Sequence, residues 1–140
     1  MKTLNLLFII IFLNVLTLQI NAQTVYDFKV KDNFNTKNRT QILNLLRGTM
    51  LKEFKEKYVF TVNKFNMCGN YAWFMGNAER ADGKPVNFDT KDGDYDCCHV
   101  EALFQKVKGV WYIVEKGAFS TDVWYDGICE RHKAPCQIYN

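Results

Sequence analysis

The spacing of apolar positions changes as the chain proceeds, and each change predicts a different element. Met1, Lys2 and Thr3 precede an apolar run from Leu4 to Leu16 interrupted only by Asn5 and Asn14, and the more polar Thr17 to Ala22 follow. That order is the one an export signal has. The run falls short of the roughly 18 to 20 apolar residues a membrane-spanning helix needs, so residues 1–22 read as a cleavable signal peptide cut after Ala22. Residues 23–36 are polar, with isolated Val25, Phe28, Val30 and Phe34, and read as a loosely packed lead-in or a short element. From there Ile42, Leu45, Leu46, Thr49, Met50 and Phe54 recur at intervals of three and four, one stripe of a helix over about residues 37–56. Asn35 and Thr36 stand before it as N-cap candidates. Gly48 inside it costs about 1 kcal/mol relative to Ala, which suggests close packing against a sheet or a kink.

From Tyr58 the pattern becomes β-branched and aromatic. Tyr58 to Met67 and Tyr71 to Arg80 read as strands joined at Cys68, Gly69 and Asn70. Ala81 to Lys84 offers an Asp-Gly turn, with Pro85, Val86 and Phe88 as a short return strand. His99 to Val107 and Val110 to Lys116 form the clearest hairpin; its apolar side chains on both faces predict a place in the middle of the sheet. Ser120, Thr121 and Asp122 precede a short helix through Trp124, Tyr125, Ile128 and Cys129 that Pro135 stops. The expected architecture is a single α+β domain over residues 23–140. One N-terminal helix packs on an antiparallel sheet of about four strands, in a cystatin-like or NTF2-like shape suggested by element order alone.

Composition narrows the partners. After removal of the signal about 118 residues remain, the usual size of one domain with one real core. Lys2 is the only charged residue of the first 22, so the formal charge of +3 falls to +2, with both signs interspersed. That charge is too balanced to suggest a nucleic-acid or anionic-membrane partner, so neither is expected, and no membrane span is expected after signal cleavage. Cys68, Cys97, Cys98, Cys129 and Cys136 all follow the signal, and in a periplasmic or secreted setting their first explanation is disulfides. Cys129 and Cys136 suit a short loop closed around Pro135, and Cys68 suits Cys97 or Cys98 across neighbouring strand ends, leaving one of the adjacent pair free.

Other chemistry finds weaker support in the residues. Cys97, Cys98 and His99 with Cys129, His132 and Cys136 include the thiolate and imidazole types that zinc needs, but not in a paired C-x-x-C pattern. A cysteine nucleophile with His99 or His132 as base lacks an orienting third group, and neighbours in a strand diverge to opposite faces. Asp89, Asp92, Asp94 and Asp96 hint at calcium, yet Cys97 stands where the loop needs Gly and Leu103 where it needs Glu. No catalytic residue and no cofactor is assigned.

The aromatic set is more telling. Tyr71 and Trp73 share one face of their strand while Ala72 and Phe74 share the other, so one face meets the helix and the second meets the C-terminal segment, a second subunit or a ligand. Trp73, Trp111, Asp122, Trp124 and Tyr125 are therefore the candidate ligand-binding residues.

YAWFMGNAERADGK from Tyr71, VEALFQKVKGVWYIVE from Val100 to Glu115 and STDVWY from Ser120 to Tyr125 together resemble an uncharacterised family of small exported bacterial proteins. The resemblance implies a signal peptide, a helix followed by a sheet, and no activity for any residue. The resulting expectation is a non-catalytic binding or interaction module for an unknown protein or small-molecule ligand. Its competitors are a small metal- or thiol-dependent enzyme built on Cys97, Cys98 and His99, and a structural envelope protein or homodimer with its aromatic face buried against a second copy.

Overall fold

The computed structural model describes residues 23–86 and 95–140; the expected signal segment, Phe88 of the expected return strand, and Asp89, Asp92 and Asp94 lie outside these described residues. Strands β1 (Val25–Asp27), β2 (Tyr58–Cys68), β3 (Tyr71–Arg80), β4 (His99–Val107) and β5 (Val110–Ala118) form one sheet in the order β1-β2-β3-β4-β5, with helix α1 (Thr36–Phe54) between the first two. Every neighbouring pair is antiparallel. Helix α2 (Ile128–His132) and a 3-10 turn (Cys136–Tyr139) follow the sheet. The architecture is α+β as the pattern predicts, with one strand more than expected. The extra strand arises where Val25 to Asp27 pair with Cys68 to Asn66. No described helix is long and apolar enough to cross a membrane.

The side-chain alternation of a strand divides the core in two. Helix α1 lays Ile42, Leu43, Leu46 and Met50 against Phe65, Ala72, Phe74, Ala78, Val100, Ala102 and Phe104, with Phe28, Tyr58, Trp111 and Phe119 closing the margins. On the opposite face Cys68, Trp73 and Leu103 pack against Ile128, Cys129, Ala134 and Ile138 of the C-terminal segment. Consecutive residues of both parities, Ala72 to Phe74 on β3 and Val100 to Phe104 on β4, are thus buried, because each face has its own cover.

Several local expectations change. The β4–β5 hairpin lies at one side of the sheet, and β3 holds the middle, because a meander of consecutive hairpins places the last strand at an edge. The two-sided apolar pattern of this hairpin reflects the covers on both faces rather than a central position. Gly48 faces open space, with nothing within 4 Å of an added Cβ, so neither close packing nor a steric need explains it. Asn35 does occupy the N-cap position, but its side chain makes no capping bond. Its Nδ2 donates to the Val30 carbonyl at 2.8 Å, fastening the lead-in instead. Pro85 and Val86 are in no strand. The Asp-Gly turn forms, with the Gly83 amide donating to the Arg80 carbonyl and Gly83 at φ +74°. Arg80 grips Asp82 at 2.7 Å and holds its carboxyl well below the usual range, chiefly through this hydrogen bond. The last helix begins only at Ile128, after Gly127 in the left-handed region, rather than at Ser120 to Asp122.

Candidate functional site

Residues 119–140 form a strap across the outer face of the sheet, and polar side chains of the strands anchor it. The Tyr71 hydroxyl donates to the His132 carbonyl at 3.0 Å while accepting from Gln105 Nε2 at 2.7 Å. Asn66 Nδ2 donates to the carbonyls of Ile138 and Asn140, and Lys64 Nζ to that of Tyr139 at 2.8 Å. These bonds satisfy main-chain carbonyls that a segment with so little regular structure would otherwise leave without partners. Cys129 and Cys136 lie at disulfide distance with Cα atoms 5.3 Å apart, closing the loop around Pro135 that their spacing predicts.

Beneath the strap lies a buried carboxylate. Glu101 is 4% exposed and receives Trp124 Nε1–H on Oε2 at 3.0 Å and His99 Nε2 on Oε1 at 2.6 Å. His99 and Glu101 are two apart on β4 and so share the outer face. The Trp124 ring occupies the space above Gly117, which pairs with Glu101; a Cβ there would lie 1.9 Å from Trp124 Nε1, an impossible overlap. Gly117 is thus required by the indole lying on it. A second pair, His132 Nε2 with Glu115 Oε2 at 2.7 Å, ties α2 to β5, and Arg131 adds a bond at 3.2 Å. The His132 hydrogen bond holds the Glu115 carboxyl below its ordinary value, against an opposing contribution from burial.

Between strap and sheet opens a cleft of about 350 Å³. Trp73, Met75, Tyr125, Ile128 and Tyr139 supply its apolar wall, with Asp126, Gly127, Glu130, Asn140 and the Cys129–Cys136 bridge at its margin. Trp73 sits amid the rings, its centroid 4.6 Å from Tyr139 and 5.8 Å from Tyr125, both inclined at 57°. The Tyr139 hydroxyl oxygen is buried without a hydrogen-bond partner among the described residues, and burial pushes its pKa up.

Of the residues expected to bind, the fold brings together Trp73, Trp124 and Tyr125 and separates the other two. Trp111 lies on the helix face, where its Nε1 donates to Asn38 Oδ1 at 3.1 Å. On β5 odd and even positions exchange faces at Val114, the residue skipped between the Leu103–Glu115 and Phe104–Ile113 pairs, so simple alternation along β5 misplaces it. Asp122 is exposed in the turn and does not line the cleft. Met75, Asp126, Glu130 and Tyr139 were not anticipated. Met75 was legible as the next residue on the face of Trp73, whereas the others depend on the path of the strap.

The cysteines correct a second expectation. Cys97 and Cys98 lie at disulfide distance from each other, and Cys68 is buried and unpaired, its thiol pKa raised by burial. Pairing of Cys68 with Cys97 or Cys98 fails because Cys68 ends β2 at the β2–β3 turn, whereas Cys98 joins the far end of β3, its carbonyl accepting from the Ala78 amide. The residues offered for zinc are not gathered. Cys129, Glu130 and Cys136 do approach one another within 4.8 Å, but the two sulfurs are joined, so neither is a thiolate ligand. His99 and His132 each face a different carboxylate. No family model, curated protein or solved structure matches this chain. The fold and the cleft therefore define it as an α+β domain carrying a strap-covered aromatic cleft.

Proposed function

We propose that this is an exported, non-catalytic binding module that takes its ligand in the cleft between the C-terminal strap and the sheet. The carrying observation is the cleft itself, whose volume of about 350 Å³ and wall of Trp73, Met75, Tyr125, Ile128 and Tyr139 suit a small ligand. The groups an enzyme would need are committed elsewhere. Cys97, Cys98, Cys129 and Cys136 are tied as two bridges, Cys68 is buried, and both described histidines turn Nε2 to a carboxylate. Two bridges beside an apolar leader suit a periplasmic or secreted location. The chain's own strap covers Trp73 and Leu103 on that face, which supports a ligand cleft there over a homodimer contact.

The test is a nuclear magnetic resonance screen of the oxidised protein against cationic, neutral and anionic fragments. The expected result is a saturable set of shifts at Met75, Tyr125, Tyr139 and the Trp73 indole. A screen whose responses all fall outside the cleft would sink the proposal, as would turnover of a substrate that disappears in His99→Gln.

A further inference from the structure

We infer that the bond between Cys97 and Cys98 is a reversible thiol–disulfide site, opened and closed by a small thiol, rather than a staple of the fold. What each bridge ties together separates the two. Cys129 and Cys136 stand seven apart in sequence and join α2 to the 3-10 turn. The sheet holds both of those elements in place, through Tyr71 on the His132 carbonyl and Asn66 on that of Ile138. Closing such a loop removes freedom from the unfolded chain, so that bridge and fold stabilise each other. Cys97 and Cys98 are neighbours in the turn that leads into β4. Their bond encloses no intervening residue and joins no two elements. It takes almost no freedom from the unfolded chain, and by linkage the fold does almost nothing to keep it closed.

Access adds a direction. Cys97 is exposed, whereas Cys98 is half-buried and its carbonyl accepts from the Ala78 amide at 2.8 Å. A cavity of about 400 Å³ is lined by both cysteines together with Arg80, Lys84, Pro85 and Val86, and gives an incoming thiol room to approach the bond. Cys68 is buried at the other end of β3 and takes no part. A thiolate of the small thiol attacks the Cys97 sulfur, the Cys97–Cys98 bond breaks, and Cys98 leaves as a thiolate that takes a proton from water. A second thiolate attacks the small thiol's sulfur in the mixed disulfide, and Cys97 leaves and is protonated in the same way. The bridge has gained two electrons and become two protein thiols, while two small thiols have become one small disulfide. The reverse sequence closes it. The site stands at the root of the strap: the Asp96 amide donates to the Phe119 carbonyl at 3.2 Å and the Phe119 amide to that of His99 at 2.7 Å. It shares no described lining residue with the cleft, so it stands whether or not the cleft takes a ligand.

The experiment equilibrates the oxidised full chain with rising ratios of reduced to oxidised dithiothreitol, blocks free thiols with iodoacetamide and locates them by peptide mass. Cys97 and Cys98 are expected to take the label at a ratio at least about tenfold lower than Cys129 and Cys136, the scale of the loop stabilisation that only the second bridge has. At that ratio the Ala78 and Phe119 amide resonances should shift while those of α1 stay in place, and excess oxidised dithiothreitol should restore the starting spectrum. Opening of both bridges at one ratio, opening of Cys129–Cys136 first, or opening of Cys97–Cys98 only with loss of the α1 resonances overturns the inference. A second measurement removes each bridge. Cys97→Ser with Cys98→Ser should leave the thermal midpoint within about 2 °C of the wild type, whereas Cys129→Ser with Cys136→Ser should lower it by roughly 5 °C or more. A comparable loss in the first variant, or its failure to fold, would make Cys97–Cys98 a staple and overturn the inference as well.

Discussion

The two faces of the sheet are buried by different means. On one, a 19-residue helix supplies Ile42, Leu43, Leu46 and Met50 to a continuous apolar layer. A helix satisfies its own backbone, so that layer needs few polar fastenings, such as Asn38 accepting from Trp111 and Lys106. On the other, a strap whose only helix has five residues must be held by Asn66, Tyr71, Lys64, Glu101, Glu115 and a disulfide. The comparison teaches that a cover with little secondary structure borrows its order from the sheet beneath it. Because that order is borrowed point by point, the seam stays incomplete and leaves the cleft.

The contrast can be broken most forcefully from the helix side. Phe74 is fully buried between Phe60 and Phe65, and Phe74→Ala should lower the unfolding free energy by about 3–5 kcal/mol. Denaturant titration should show the loss in one cooperative transition, with amide protection falling in α1 and every strand together. A loss below about 1 kcal/mol would mean that the helix face is not the principal core.

A smaller and local effect is expected on the other face. Gly117→Ala places a methyl group where the Trp124 indole lies, which must move and release its bond to Glu101. Overpacking of this kind costs about 1–3 kcal/mol. Tryptophan emission should shift to longer wavelength, and amide protection should fall over residues 119–134 while α1 keeps its own. Uniform loss of protection would show that strap and helix face form one cooperative unit.

The smallest effect concerns acid. Glu115 is bound by His132 and Arg131, and its folded pKa lies below the ordinary 4.5. A depressed carboxyl stabilises the fold fully above its unfolded value, and the stabilisation is lost as pH falls from about 4.5 through the lower folded value. The pair is partly exposed, so its contribution is below about 1 kcal/mol. The stability difference between the wild-type protein and Glu115→Gln should therefore shrink as pH falls below about 4.5 and vanish in stronger acid. A difference that grew on acidification would reverse the assigned sign.

Much of the helix face was legible because its signals are local. The period of Ile42, Leu45, Leu46 and Met50 marks α1 whatever it packs against, and Tyr71 to Arg80 reads as a strand and is one. The alternation of Trp73 with Phe74 likewise announced two covered faces. The cleft was legible only in part: Trp73 and Tyr125 line it as expected, Trp124 lies beside it on Glu101, Trp111 fell on the helix face, and Tyr139 and the buried Glu101 were passed over. Glu101 sits in an apolar strand with no sequence sign of the indole that makes its burial tolerable.

The sequence by itself determined the α+β class, the long helix, the paired strands and the closed loop at Cys129 and Cys136. Each follows from periodicity or spacing within a short window, where backbone geometry alone links residues to faces. Only the tertiary structure decided that β3 lies in the middle, that Cys97 meets Cys98 rather than Cys68, and that the strap lays Tyr125 and Tyr139 about Trp73. Those outcomes depend on where a weakly patterned segment is caught by side chains far away in sequence, such as Asn66 holding Ile138 and Tyr71 holding His132. Contacts of that kind depend on the three-dimensional path of the chain, because both partners are common surface residue types until the fold brings them together.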